Sequence, residues 1–185
     1  MESRKIIAGV DEVGRGSLVG SVFSAAVIFD PSIYIENLMD SKKLTPTNRI
    51  KLSNIIISNS LCVSIGDATK DELDDLNIHN ATLLSMERAV DNLSIMPDKI
   101  YFDGLYVPEL NIESHAIVKG DSKIREISAA SIIAKVARDN EMTHLNKMFT
   151  IYDFIKNKGY GTSYHLQAIS IFGKTIHHRE SFLKL

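Results

Sequence analysis

The chain has 185 residues, 44% hydrophobic and 24% charged, with a formal net charge of −2. That length and balance fit one domain able to bury a sizeable core without a structural metal, so residues 1–185 are expected to form a single unit, with about 140–185 as a helical extension of it. One cysteine excludes a disulfide scaffold, and no apolar run is long enough for a membrane-spanning helix.

The opening, MESRKIIAGV, is too short and too quickly acidic for a signal peptide, so a cytoplasmic location is expected. Strand-like runs rich in Val, Ile and aromatics follow at 5–10 and 22–29. About ten residues join them, too few for a helical crossover, so these two should pair antiparallel. A short helix is predicted at 46–58, then a strand at 61–66 that takes in Cys62 as a small core residue. The stretch NIHNATLLSMERAVDNL has helical periodicity, with Ile78, Thr82, Leu83, Met86, Ala89, Val90 and Leu93 on one stripe. Strands at 99–102 and 115–118 precede a long helix, REISAASIIAKVARDNEMTHLNKM, whose inward face is expected to hold Ile127, Ala130, Ile133 or Ala134, Ala137 and Met142. A last helix at 163–172 ends at Gly173. The order predicts an α/β fold: three strands joined by short loops as an antiparallel meander, continued by parallel strands with helical crossovers.

The loop GRGSLVG has glycines at dinucleotide-binding types of position, but its spacing is one residue too long. It also leads into a strand, whereas a pyrophosphate needs a helix N-terminus there. No serine-nucleophile elbow occurs, and the six histidines show no zinc-ligand spacing; each is expected to be a surface or loop residue. Acids are more informative. Asp11 and Glu12 end the first strand, Asp103 ends KIYFDG, and Asp121 follows the fifth strand. If those strands lie adjacent and parallel, the four acids gather at one sheet edge, where α/β proteins place their sites. Four close carboxylates repel one another, and divalent cations turn that liability into a site; carboxylate and water suit Mg²⁺ or Mn²⁺ better than Zn²⁺. With Arg15, Lys42, Lys43, Lys119 and Lys123 nearby, such a site suits two-metal phosphoryl transfer. The charge distribution agrees, since residues 135–185 hold eight Lys or Arg against four Asp or Glu, whereas the rest hold thirteen against nineteen.

The segments GVDEVGRG, DSKKL, ELDDLNIHNATLLSMERAV, YFDG, VKGDSKIREISAASIIAKVARD, KGYGTSYHL and HHRESF occur in that order. Together they resemble ribonuclease HII, the type 2 ribonuclease H, over nearly the whole chain. The resemblance implies a ribonuclease H-like fold, a five-stranded mixed sheet flanked by helices with additional C-terminal helices. It implies a metal-binding and catalytic quartet of Asp11, Glu12, Asp103 and Asp121 holding two Mg²⁺ or Mn²⁺ ions, Asp11 bridging both. The implied reaction is hydrolysis on the 5′ side of a ribonucleotide in an RNA–DNA hybrid or embedded in a DNA duplex, leaving 3′-hydroxyl and 5′-phosphate ends. The backbone of Gly14 and Gly16, free of Cβ atoms, could approach the 2′-hydroxyl, and Arg15 would meet a phosphate or pack the loop; Tyr160 would stack on the sugar at the RNA–DNA junction, and Lys42 would contact phosphate. A monomer is expected. The chain departs from the family's common pattern at Ser17, Ser21 and Gly161, where proline is frequent, and at Asn157, where a histidine often stands; Gly161 should loosen the loop around Tyr160. Rival readings are a ribonuclease HIII-like enzyme, another nuclease on the same fold such as a Holliday-junction resolvase, and a catalytically silent hybrid-binding protein.

Overall fold

The computed structural model describes residues 5–36, 38 and 44–183. Its centre is one five-stranded sheet of order β3-β2-β1-β4-β5, built from β1 (Ile7–Val13), β2 (Val22–Phe29), β3 (Ser60–Ala68), β4 (Lys99–Asp103) and β5 (Glu113–Ile117). β2 pairs antiparallel with both β1 and β3, while β1, β4 and β5 run parallel. The mixed sheet agrees with expectation, but two connections differ. The β2–β3 link is not a short loop, because it contains α1 (Pro46–Asn59); β4 and β5 run parallel without a helix between them, joined by residues 104–112.

Helices cover both faces. α3 (Arg125–Met148) and α1 pack with Ala25, Val27 and Phe29 of β2, whereas α2 (Lys70–Asp91) packs with Ala26 and Ile28 on the other side. The alternation is the two-residue period of a strand, and coverage of both faces explains why VFSAAVIF is apolar almost throughout. At Gly9 of β1 the approach of α3 is close: a Cβ there would sit 2.3 Å from the main chain of Glu126 and Ile127.

α2 starts seven residues before the expected periodic stretch. Thr69 and Glu72 form a capping box, the Glu72 amide donating to Thr69 Oγ1 at 3.3 Å and the Thr69 amide to Glu72 Oε2 at 2.9 Å. The predicted start, Asn77, is a kink with φ 71° and ψ 165°, where its Oδ1 accepts from the amides of His79 and Asn80 and caps the second half anew. In α3 the inward stripe is as expected at Ile127, Ala130, Ile133, Ala134 and Met142, but Arg138 is buried where Ala137 was expected, and Ala137 is only half-buried.

After α3 the chain forms a 3-10 turn (Thr150–Tyr152), α4 (Phe154–Asn157) and α5 (Ser163–Phe172), gathered with the end of α3 around Met142, Leu145, Tyr152, Phe154 and Ile169. The following segment returns to the first loop: the Gly20 amide donates to the His177 carbonyl at 3.0 Å and the Arg179 amide to the Leu18 carbonyl at 2.9 Å.

Candidate active site

β1 has different partners on its two sides. Its parallel pairing with β4 stops at Val10, while its antiparallel pairing with β2 continues through Asp11 and Glu12 to Val13. The two acids therefore lie inside β1, not at its end, where β4 has already parted from it. Asp103 is the last residue of β4, and Asp121 lies in a 3-10 turn (Gly120–Ser122) just beyond β5. Because β1, β4 and β5 are adjacent and parallel, all four acids come to one end of the sheet.

Their local bonds fix them in different ways. Asp11 is buried at 6% exposure, hydrogen-bonded by Ser131 of α3 and by the Glu12 amide at 2.8 Å. Asp103 Oδ1 accepts from the Gly120 amide at 2.6 Å, which ties the β4 acid to the turn that bears Asp121. Asp121 is buried. Glu12 faces a shallow cleft shared with Asp103, Arg15, His79 and Tyr106, and Arg15 Nη1 stands 3.5 Å from its Oε1.

Burial, then the charges of Glu12 and Asp103, hold the Asp11 carboxyl well above the ordinary carboxylate range. Burial also raises Glu12, with Arg15 opposing the shift. Such a group of acids is unfavourable by itself and is relieved by positive charge. Among the described residues no three His, Cys, Asp or Glu side chains form a ready ligand set. An open arrangement of hard oxygen donors still fits a hydrated Mg²⁺ or Mn²⁺, which keeps several waters and takes only one or two carboxylates together with substrate phosphates. Asp11, Glu12, Asp103 and Asp121 are the side chains that could hold it.

The glycine loop, residues 14–21, is held from behind by two buried arginines that sequence reasoning missed. Arg138 of α3 donates from Nη2 to Ser17 Oγ at 2.7 Å and to the Val19 carbonyl at 2.6 Å, and from Nη1 to Glu141 Oε2 at 2.6 Å. Arg179 donates from Nε to the Gly20 carbonyl at 2.8 Å, from Nη1 to that of Arg15 at 3.1 Å and from Nη2 to that of Ser21 at 3.0 Å. Both are fully buried, at 1% and 0% exposure. Burial and then the neighbouring Arg138 push Arg179 down to about 9, so it stays protonated at neutral pH. Gly14, at φ 95°, has no Cβ because one would meet Arg138 Nε at 2.8 Å. Gly16 differs: its open side faces the ring of Tyr160, whose Cε1 would lie 3.6 Å from a Cβ. The serines in place of the frequent prolines are accounted for here. The Ser21 amide donates to Glu141 Oε1 at 3.0 Å, which proline could not do, and the Ser17 hydroxyl donates to the Val19 carbonyl at 3.0 Å.

The structure thus brings Gly14, Arg15, Gly16 and Tyr160 beside one another, with Arg15 reaching to Glu12. Lys119 and Lys123 flank Asp121 in sequence, but the Lys123 ammonium donates to the Val118 carbonyl at 2.6 Å. Lys42 and Lys43 lie outside the described residues. Two of the six histidines depart from the expectation of surface or loop positions: His165 lies in α5, His178 is in a loop as expected, yet both are completely buried and touch one another. Their signal in sequence was slight, a histidine on the apolar face of α5 and another beside an arginine.

The sheet order and helices on both faces, with four acids at one end of the parallel strands, define a ribonuclease H-like fold. A solved structure of ribonuclease H2 from Pyrococcus horikoshii OT3 matches with a TM-score of 0.81 and 28% identity, covering 95% of this chain and 93% of that one. Ribonuclease HII of Archaeoglobus fulgidus, solved in complex with PCNA, shares the fold at a TM-score of 0.74 and 23% identity over 97% and 96% of the two chains. A ribonuclease HIII bound to Mn²⁺ (Bst-RNase HIII) is more distant, at a TM-score of 0.67 and 17% identity, and only 70% of its chain is covered. The family model for ribonuclease HII matches residues 8–184, and this chain belongs to that family. It is therefore an endonuclease of the ribonuclease H type.

Proposed function

We propose that the chain hydrolyses the phosphodiester on the 5′ side of a ribonucleotide, both in RNA–DNA hybrids and where one ribonucleotide is embedded in a DNA duplex, leaving 3′-hydroxyl and 5′-phosphate ends. The observation that favours this is the adjacency of the acid pair to a rigidly backed loop, with the uncovered backbone of Gly16 next to an exposed tyrosine ring. A protein that separates ribose from deoxyribose must find one hydroxyl, which both donates and accepts. The main chain of residues 14–16 offers both kinds of group; Arg179 holds its Arg15 carbonyl, and Arg138 holds the adjoining Ser17 hydroxyl and Val19 carbonyl.

Asp11, Glu12, Asp103 and Asp121 would hold two divalent cations, Mg²⁺ or Mn²⁺, which supply an activated water and charge stabilisation of the leaving oxygen. Asp11, raised by burial and then by its neighbours, is an acid whose ionised form such a partner would favour. Arg15 is half-exposed and free to meet a phosphate as well as Glu12. Tyr160, 42% exposed, offers a flat face to the sugar at the junction. Lys42 is assigned a phosphate contact by family resemblance alone, and one chain is taken as the working unit in the cytoplasm.

The test uses a labelled DNA duplex with one embedded ribonucleotide and Mg²⁺, beside an all-DNA duplex, a DNA four-way junction and an EDTA lane. One metal-dependent cut immediately 5′ of the ribonucleotide, with DNA untouched, is expected. Cleavage of the all-DNA junction would refute the reading, as would binding without turnover.

A further inference from the structure

His165 and His178 have no part in the chemistry described above, yet their bonds run toward it. The Thr175 backbone amide donates to His178 Nδ1 at 2.8 Å, with the Thr175 hydroxyl 2.9 Å away. An amide can only donate, so a neutral His178 carries its proton on Nε2. That Nε2 lies 3.1 Å from His165 Nε2, which must then accept. His165 in turn carries its proton on Nδ1, 2.9 Å from the Tyr160 carbonyl, which can only accept. The chain of bonds therefore has one direction, from Thr175 through two neutral rings in opposite tautomers to Tyr160.

At its far end the Tyr160 carbonyl also accepts from the Thr162 amide at 2.8 Å, and the Tyr160 amide donates to the Asn157 carbonyl at 2.9 Å. The main chain of Tyr160 is thus pinned on both sides although its ring is exposed and the next residue is Gly161. Asn157 adds to this from a buried side chain, donating to the Tyr152 carbonyl and accepting from the Gly159 amide. At the near end, His178 is followed by Arg179, which holds the Arg15 carbonyl. Two consecutive residues therefore fix the two halves of the sugar-facing surface, the tyrosine and the glycine loop, with respect to one another.

We propose that His165 and His178 are positioning residues whose one-way hydrogen-bond chain sets Tyr160 against Gly16, and so sets the preference for a single embedded ribonucleotide over a long hybrid. The role rests on the reading of Tyr160 given above. Tyr152 packs edge-on against both rings, Phe154 packs edge-on against His165 and tilted against His178, and Lys174 and Glu180 are the charged groups that act on His178. Burial lowers the basicity of both histidines, which favours the neutral pair that the bonding requires.

Two measurements test this on the full chain. Nitrogen-15 imidazole NMR at pH 7.5 should find His178 protonated on Nε2 and His165 on Nδ1; the same tautomer on both, or a charged ring, overturns the proposal. In the second, His165→Leu is compared with His165→Asn, whose amide can still donate toward Tyr160. The leucine variant should raise KM for the embedded-ribonucleotide duplex about tenfold relative to long hybrid, the scale of one lost buried hydrogen bond, with little change in kcat. The asparagine variant should recover most of that loss. Equal losses by both variants on both substrates would reveal a purely structural role and overturn the proposal. Should His165→Leu fail to fold, the tautomers of the unaltered protein decide. An unaltered protein that cannot cut the embedded-ribonucleotide duplex refutes the reading of Tyr160 itself; one that cuts it, with an unchanged KM ratio in His165→Leu, refutes the relay alone.

Discussion

Replacing Arg179 by methionine removes the guanidinium that ties the C-terminal segment to the glycine loop, while keeping an unbranched side chain of similar length. The Gly20 and Ser21 carbonyls, both on buried residues, lose their donor; the Arg15 carbonyl is on an exposed residue and can turn to water. An orphaned buried carbonyl costs about 1–3 kcal/mol, so two lose roughly 2–6 kcal/mol. Part is returned because a buried cation no longer has to be desolvated, leaving a net loss of about 3 kcal/mol. For a domain of this size each kcal/mol moves the melting temperature by about 2–4 °C, so Arg179→Met should melt roughly 6–12 °C lower. The assay is thermal unfolding in EDTA, with cleavage of an RNA–DNA hybrid measured well below the melting point, where the loosened loop should lower activity as well. Arg179→Lys, with one point charge in place of a three-pronged donor, should recover less than half of the loss. A fall of under about 2 °C in the methionine variant, or a lysine variant equal to the original, would refute the clamp.

Other consequences can be tested separately. Asp11→Asn should abolish turnover yet melt at the same temperature or higher at neutral pH in EDTA, because a carboxyl with a raised pKa is penalised in the fold only when ionised. That advantage should vanish as pH falls to the ordinary carboxylate range, and a lower melting point for the variant at pH 7 would count against the charge cluster. His178 is lowered from 6.5 to about 4, chiefly by burial and then by His165. The unfolded chain therefore takes up a proton that the folded one refuses, and stability should fall as pH drops from about 6.5 to about 4, then level off. Urea midpoints across that range check the sign, and a midpoint that rises on acidification would refute it. Gly9→Ala puts a methyl group 2.3 Å from α3 backbone and should lose on the order of 4 kcal/mol, measured by urea unfolding; a loss under about 1 kcal/mol would mean the helix stands farther from the sheet.

Much of this architecture was legible because it depends on local pattern. The strand runs, the 125–148 helix and the helix closed by Gly173 all follow periodicity and punctuation that act over a few residues. The acids could be found from one extra step, that parallel neighbours put their ends together. The early start of α2 was also readable, since Thr69 and Glu72 have capping-box spacing, but charged residues between them hid the apolar period. Arg138 is a different case. It falls on the buried stripe of α3, and a pattern that sorts residues by polarity turns it outward, because nothing nearby in sequence reveals the carbonyls of residues 17–21 that satisfy it. His165, His178 and Arg179 were hidden for the same reason: burial of a polar side chain is decided by partners more than a hundred positions away, or by a second buried ring.

The link between Arg15 and Arg179 spans 164 positions, so the glycine loop and the guanidinium that holds it are made far apart in synthesis. At about 5–20 residues per second a ribosome needs roughly 8–30 s to travel between them. By the end of that interval the sheet can hold its acids and Arg138 stands behind Ser17 and Val19, but the carbonyls of Arg15, Gly20 and Ser21 still lack their donor. Joining the two costs little chain entropy once both exist, because the penalty grows only with the logarithm of the loop length. The loop is therefore completed late and in one step, and a chain that stops short of Arg179 lacks the donor for the Arg15, Gly20 and Ser21 carbonyls.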